Sequence, residues 1–330
     1  MIGLQLVVGG AGFIGSSLVR VLVKDGPVRV LDDLSTGRAT NITGVHDVEL
    51  MIGSLLDAST VRAALQDVRV VYNLACLGVR HSIHSPEQNH EVNAAGTLRL
   101  LVACREAGVE RFVYTSSSEV YGTASRVPMS EDHPTYPHTV YGAAKLAGEA
   151  YTRAFYRTYG LPTVIVRPFN AYGPRSHHEG DSGEVIPKFI VRAMGKRPLV
   201  VFGDGSQTRD FTYVEDTAAG IALAGKSSTA TGRTLNLAQG SEVSINELAA
   251  TVLAVLNRQD LPVQHVAARP GDVHRLLGDG SSAREILGWT PKVDLWNGLQ
   301  RLIEWHADVG TDWGDALKED LECNWEALKS

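Results

Sequence analysis

A run of five apolar-rich residues, LQLVV (Leu4 to Val8), passes directly into GGAGFIG and then into the amphipathic stretch SSLVRVLVKDG. This reads as strand, glycine turn and helix, an order that few folds accept. Gly9 turns the chain sharply, Gly12 lets backbone N–H groups approach a pyrophosphate, and Gly15 lets the helix pack closely on the strand. A lone glycine triplet is weak evidence. Here a second strand, VRVLDD (Val28 to Asp33), ends in a carboxylate about 20 residues on, which is the context a dinucleotide site demands. Asp32 is suited to accept hydrogen bonds from an adenosine ribose and to repel a 2′-phosphate, favouring NAD over NADP, with Asp33 in the same turn.

The alternation continues. VELMIG (Val48 to Gly53), VRVVYNLA (Val68 to Ala75), RFVYTSSS (Arg111 to Ser118) and LPTVIVRPFN (Leu161 to Asn170) read as strands. Between them lie the helical stretches STVRAALQ, EVNAAGTLRLLVACREAG and Tyr141 to Tyr159, the second of them a long helix closed by glycine. Such spacing predicts an α/β fold with a Rossmann-type doubly wound parallel sheet, in which ligands gather at the carboxyl ends of the strands. After residue 170 the pattern changes to a long loop, NAYGPRSHHEGDSGEV, of the kind that tends to carry function. Shorter strands, a helix capped by Ser244 and tryptophan-rich terminal helices follow. The expected division is a cofactor-binding domain over 1–167, to which about 210–238 returns, and a second, smaller α/β substrate domain over 168–330.

The stretch from Tyr114 to Lys145 carries the chemistry. Tyr141 and Lys145 are one helical turn apart, so their side chains leave the same face. The ammonium is expected to favour the phenolate and to lower the Tyr141 pKa from about 10 toward the working pH. With the serine run at the end of its strand, this pair suits removal of a proton from an alcohol while hydride leaves for a cofactor. A bare Tyr-x-x-x-Lys also arises by chance on surface helices, and the glycine turn is what makes the relay meaningful.

Net charge is −6, which argues against a nucleic-acid partner or attraction to anionic membranes. The apolar runs are short and interrupted, so no membrane span is expected, and the N-terminus lacks the pattern of a secretory signal, which makes the cytoplasm the default. Cys76, Cys104 and Cys323 have no paired spacing, and neither they nor His81, His84, His90, His177 and His178 form a metal motif. No metal is expected, and the histidines read as solvated loop residues.

Taken together, GGAGFIG, TSSSEVYG, YGAAK, RPFNAYGP, GDGSQTRDFTYVED and RPGD resemble the extended short-chain dehydrogenase/reductase family, specifically its NAD-dependent nucleotide-sugar epimerases and dehydratases. The resemblance spans nearly the whole chain. It implies that Tyr141 is the acid/base, that Lys145 orients the nicotinamide ribose, and that Ser117 bonds the sugar hydroxyl at carbon 4. It extends the cofactor set to Phe13, Ile14, Ser54, Leu55, Leu74 and Ala75, and implies that Asn170, Arg209 and Arg269 hold a diphosphate with Asp272 near the nucleotide ribose. Arginine forks suit that task better than lysine. A homodimer is also implied. Relatives commonly carry an aspartate at the position of Ser54, which puts that contact with the adenine in question.

The resemblance leaves several reactions open. A UDP-hexose 4-epimerase of the UDP-glucose type is the leading expectation. A 4,6-dehydratase is close behind, because Glu119 matches dehydratases and decarboxylases and could take the carbon 5 proton. Against it, Ser118 stands where many dehydratases place aspartic acid, although GDP-mannose dehydratases have serine. UDP-glucuronate decarboxylases place an arginine near position 276, where this chain has Leu276 beside Arg275. A non-catalytic NAD-dependent sensor is a rival of another class, but has no need of Ser117, Tyr141 and Lys145 together.

Overall fold

A computed structural model describes residues 3–326. The strands β1 (Leu4–Val8), β2 (Val28–Asp32), β3 (Val48–Ile52), β4 (Val68–Asn73), β5 (Arg111–Thr115) and β6 (Thr163–Pro168) lie parallel to one another. Four short strands follow: β7 (Asn170–Tyr172), β8 (Leu199–Phe202), β9 (Thr208–Arg209) and β10 (Phe211–Tyr213). Then β11 (Thr234–Leu237) joins the first group, giving a 7-stranded sheet in the order β11-β6-β5-β4-β1-β2-β3. The order reverses between β1 and β4, and a crevice opens there at the carboxyl ends.

Alternation of side chains across the pleat builds a core on each face. Val7, Val30 and Val166 face one side, against Leu18 of α1 (Phe13–Leu22). Leu6, Val8 and Ile165 face the other, where α2 (Ala58–Ala64) contributes Val61. Burial on both faces explains why these strands are nearly continuous apolar runs.

The expected long helix after β4 is longer than its sequence suggested and is not uniform. It comprises α3 (His81–His84), α4 (Pro86–His90), a π-helical turn over Glu91–Gly96, and α5 (Thr97–Glu106). Pro86 starts the helix without cost because its missing N–H would have had no partner there. The wide turn accompanies two buried asparagines. Asn93 donates to the Leu77 carbonyl at 2.9 Å and accepts the Leu77 N–H at 3.0 Å, while Asn89 donates to the carbonyls of Leu77 and Gly78. The loop after β4 is thereby fixed to the helix behind it.

The helix bearing Tyr141 and Lys145, α6 (Val140–Tyr159), is capped by the Thr139 hydroxyl and ends at Gly160 with φ 70°. The second half contains α7 (Val185–Met194), α8 (Val214–Lys226), α9 (Ile245–Val255) and a later helix over Leu295–Asp308, and Ser244 forms a reciprocal capping box with Glu247. α8 contributes Ala218 and Ile221 to the core beside α1. β10 pairs with β7 rather than with the large sheet, so within 210–238 only β11 adds a strand to that sheet. A third core, around Tyr172, Phe189, Leu248 and Leu299, holds the smaller half together.

Candidate active site

The carboxyl ends of β1, β2, β4, β5 and β6 open into a cavity of about 590 Å³ that reaches into the smaller half. At its first end Gly9 has φ 81°, and a Cβ there would stand 2.7 Å from the Ala75 nitrogen. A Cβ on Gly15 would overlap the Gly9 carbonyl oxygen. On Gly12 a Cβ would meet only that same oxygen, at 3.3 Å, so the N-terminus of α1 faces open space suited to a pyrophosphate. Phe13, Ile14, Ser54, Leu55, Leu74 and Ala75 line the same end.

Asp32 is 7% exposed and ends β2. Its carboxylate accepts the N–H groups of Ala11 at 2.8 Å and Leu34 at 2.9 Å. Burial pushes its pKa up and these two bonds oppose the rise. Each oxygen keeps acceptor capacity for a ribose hydroxyl. Asp33 is exposed, receives the Ser35 N–H, and lies on the rim of the cavity.

The middle of the cavity brings Ser117, Ser118, Glu119, Tyr141 and Lys145 together. Lys145 is 2% exposed, and its Nζ donates to the Thr115 carbonyl at 3.0 Å and lies 5.9 Å from the Tyr141 ring centroid. Burial lowers the lysine pKa. The Tyr141 phenol is raised well above its ordinary value, chiefly by desolvation, then by Cys76, with the Ser117 hydroxyl acting in the opposite sense. This corrects the expectation of a phenol lowered by Lys145: removal from water outweighs an ammonium bonded to a backbone carbonyl. Ser117 caps the short turn that follows by accepting the Glu119 N–H at 3.2 Å. The Glu119 carboxylate makes neither a hydrogen bond nor an ion pair among the described residues.

Behind this cluster, Glu149 on α6 is fully buried and accepts from Ser116 at 2.6 Å and from both arms of Arg167 at 2.7 Å. The residue that follows β5, the end of β6 and the relay helix are joined through one carboxylate.

At the far end Arg209 and Arg269 both donate to Oδ1 of Asp272 at 2.6 Å. Asp272 is half-buried, which disfavours its charge, but the two guanidinium groups hold its pKa below the usual carboxylate range. Asn170 lines the wall with its Oδ1 closed to solvent and without a partner among the described residues. The structure thus brings every expected site residue into one cavity.

Other lining residues escaped the sequence reading. Arg80, in the loop after β4, is half-buried, and burial reduces its pKa to about 10. Glu184, at the start of α7, is pushed up to about 7 by burial. His177 and Glu179 are joined at 3.0 Å, and His84 meets Asp181 at 2.9 Å. These histidines therefore fasten loops instead of simply facing solvent; of His81, His84 and His90, which the structure places on α3 and α4, only His90 is exposed. Cys76 lines the cavity beside Tyr141, whereas Cys104 is in the core. The available signal was position, since both loops leave the carboxyl ends of strands.

A parallel sheet with a dinucleotide cradle and a Ser–Tyr–Lys cluster at its switch point defines an extended short-chain dehydrogenase/reductase. The chain belongs to the GDP-mannose 4,6 dehydratase family, whose model matches residues 6–302. It is 39% identical to a UDP-glucose 4-epimerase of Mycolicibacterium smegmatis, over 91% of this chain and 97% of that one. It is 34% identical to UDP-glucuronic acid decarboxylase 2 of Arabidopsis thaliana, over 92% of this chain and 68% of the relative. Among solved structures, an epimerase of Methanothermobacter thermautotrophicus has a TM-score of 0.90 at 35% identity, covering 96% of this chain and 95% of its own. DesIV, a dTDP-glucose 4,6-dehydratase of Streptomyces venezuelae solved with NAD bound, has a TM-score of 0.88 at 32% identity, with 92% and 97% covered. The protein is therefore an enzyme of the nucleotide-sugar epimerase, dehydratase and decarboxylase group. No helix among the described residues is long and apolar enough to cross a membrane.

Proposed function

We propose that this protein is an NAD-dependent UDP-hexose 4-epimerase of the UDP-glucose type, acting through transient oxidation at sugar carbon 4. The observation that carries the reading is the continuity of one cavity from the glycine cradle, past Ser117, Tyr141 and Lys145, to the Arg209–Asp272–Arg269 cluster. The epimerase relative at 39% identity supports it. NAD is supported by its presence in the related dehydratase structure, and the Gly12 opening and Asp32 fit such a ligand. We also read 1–167, with part of 210–238, as the cofactor half and 168–330 as the nucleotide-sugar half, and expect a homodimer, which light scattering checks.

NAD, when bound, supplies the acceptor and donor of hydride. Ser117 holds the carbon 4 hydroxyl, and Tyr141 takes its proton and later returns it to the same oxygen. Lys145 orients the nicotinamide ribose and stabilises the phenolate once the cavity is filled. The two arginines hold the diphosphate while the 4-keto sugar turns about it and presents its other face.

A second reading, 4,6-dehydration, rests on Glu119, whose unpaired carboxylate in the cavity is suited to remove the carbon 5 proton. Buried Ser118 offers no carboxylic acid for the departing hydroxyl. Decarboxylation is less well supported: Leu276 is fully buried in the core, and Arg275 is bonded to Glu242 at 2.6 Å outside the cavity lining. Incubation with UDP-glucose in deuterated water separates the readings. The expected product is the 4-epimer without deuterium. A 4-keto-6-deoxy sugar with deuterium at carbon 5, where the base exchanges its proton, would replace the epimerase reading by the dehydratase one.

A further inference from the structure

The buried carboxylates among the described residues have partners. Glu149 receives Arg167 and Ser116, Asp216 receives the N–H groups of Lys292 and Val293, and Asp210 receives those of Gln239, Gly240 and Gly278. Glu184 differs. It is half-buried in the cavity wall with Oε2 closed to solvent, and its carboxylate has no hydrogen bond or ion pair among the described residues. Such a group in a native fold calls for an explanation, and a ligand that supplies the missing bonds is the direct one.

Arg80 lines the same cavity, and its guanidinium likewise makes no hydrogen bond or ion pair among the described residues. The charges that act on it are Arg269, Glu184, Asp272 and Glu119, and all four of these side chains line the same cavity. Those acting on Glu184 are His177, Arg80 and Glu179, of which His177 and Glu179 already bind each other. Asn170 adds an unpartnered acceptor in the same wall. Open donors and acceptors around one space match a ligand part that is rich in hydroxyls and carries no charge there.

We infer that Arg80 and Glu184 read the sugar ring, Glu184 accepting from ring hydroxyls and Arg80 donating to ring oxygens, so that the pocket selects a neutral hexose over a hexuronate. A carboxylate on the sugar would gain Arg80 but meet Glu184 and Glu119, like charges that a neutral hydroxymethyl group does not feel. The inference rests on the proposed nucleotide-sugar function and names the sugar class that function takes.

The test is calorimetric titration of the NAD-loaded enzyme with UDP, UDP-glucose and UDP-glucuronate. Wild type is expected to bind UDP-glucose more tightly than either of the others. Glu184→Gln, which keeps the shape of the side chain, is expected to weaken UDP-glucose roughly tenfold, the effect of losing a charge-assisted hydrogen bond, while leaving UDP alone and tightening UDP-glucuronate. Arg80→Gln is expected to weaken UDP-glucose with little change in UDP. Equal weakening of UDP and UDP-glucose would assign the pair to the diphosphate and overturn the inference. So would wild-type enzyme that binds UDP-glucose no better than UDP, or a Glu184→Gln variant with unchanged preference. Because binding is read here and turnover in the deuterium experiment, a dehydratase outcome there leaves this selectivity standing.

Discussion

Tyr141 illustrates how environment decides the chemistry of a residue. Spacing alone sets Lys145 beside it, but desolvation raises the phenol. If Tyr141 is the proton acceptor, Tyr141→Phe should lower turnover by roughly a hundredfold or more while nucleotide-sugar binding persists, since a positioned acid/base is typically worth 10²–10⁴. Steady-state rates alongside titration of UDP-glucose check this, and near-native turnover would remove Tyr141 from the relay. Glu184 makes a stability prediction of its own. Its folded pKa is about 7 against an ordinary 4.5, so its contribution to stability is fully present below about pH 4.5 and lost as pH rises through about 7. The loss is on the order of 3 kcal/mol at 1.36 kcal/mol per unit. Ligand-free Glu184→Gln should therefore melt above wild type at pH 8, the two converging near pH 5. Equal melting temperatures across that range would show that the carboxylate finds a partner.

The π-helical turn between α4 and α5 is the element that holds the loop carrying Arg80. Asn93, 1% exposed, bonds both the N–H and the carbonyl of Leu77 through that turn. Turns of this kind recur where a helix must aim a side chain at a site. Asn93→Ala leaves the Leu77 N–H without its partner and the Leu77 carbonyl with Asn89 alone, at about 1–3 kcal/mol. The expected result is a lower melting temperature together with a raised KM for UDP-glucose, as the loop loses its anchor. A variant that melts lower with KM intact would confine Asn93 to stability. Apolar periodicity shows the helix, but the widened turn arises from side-chain bonds to a loop 16 residues away in sequence, which no local pattern records.

Across the whole molecule, the loop after β7 joins the two halves. Arg175 donates to Ser16 and Ser17 on α1, Glu179 pairs with Arg38, and Asp181 pairs with His84. The same loop is held from the other side by the C-terminal segment, where Asn324 donates to the carbonyls of Gly180 and Gly183. Asp320 secures that segment through Arg192 at 2.6 Å and Lys188 at 3.3 Å, and Trp325 packs edge-on to Phe202 with ring centroids 4.7 Å apart. Trp325, Phe202 and Arg192 all line the cavity. Asp320→Asn should loosen this closure and weaken UDP severalfold while NAD affinity is unchanged. Calorimetry with each ligand separately decides it, and a matching loss for NAD would mean that the segment supports the fold as a whole.

The strands and helices, the glycine cradle and the Tyr141–Lys145 pair were legible in the chain because each depends on a local pattern: a turn that needs glycine, an apolar run of strand length, two side chains one helical turn apart. Asp32 was legible for the same reason, as the last residue of its strand. Arg80 and Glu184 were not, because a charged residue in a loop looks solvated until the fold removes it from water and withholds a partner. The convergence of Arg209 and Arg269 on one oxygen of Asp272 likewise joins segments 63 residues apart. Local sterics and periodicity were written in the sequence. Which polar groups lose water, and which of those remain unpaired for a ligand, was decided only when distant segments closed around the same cavity.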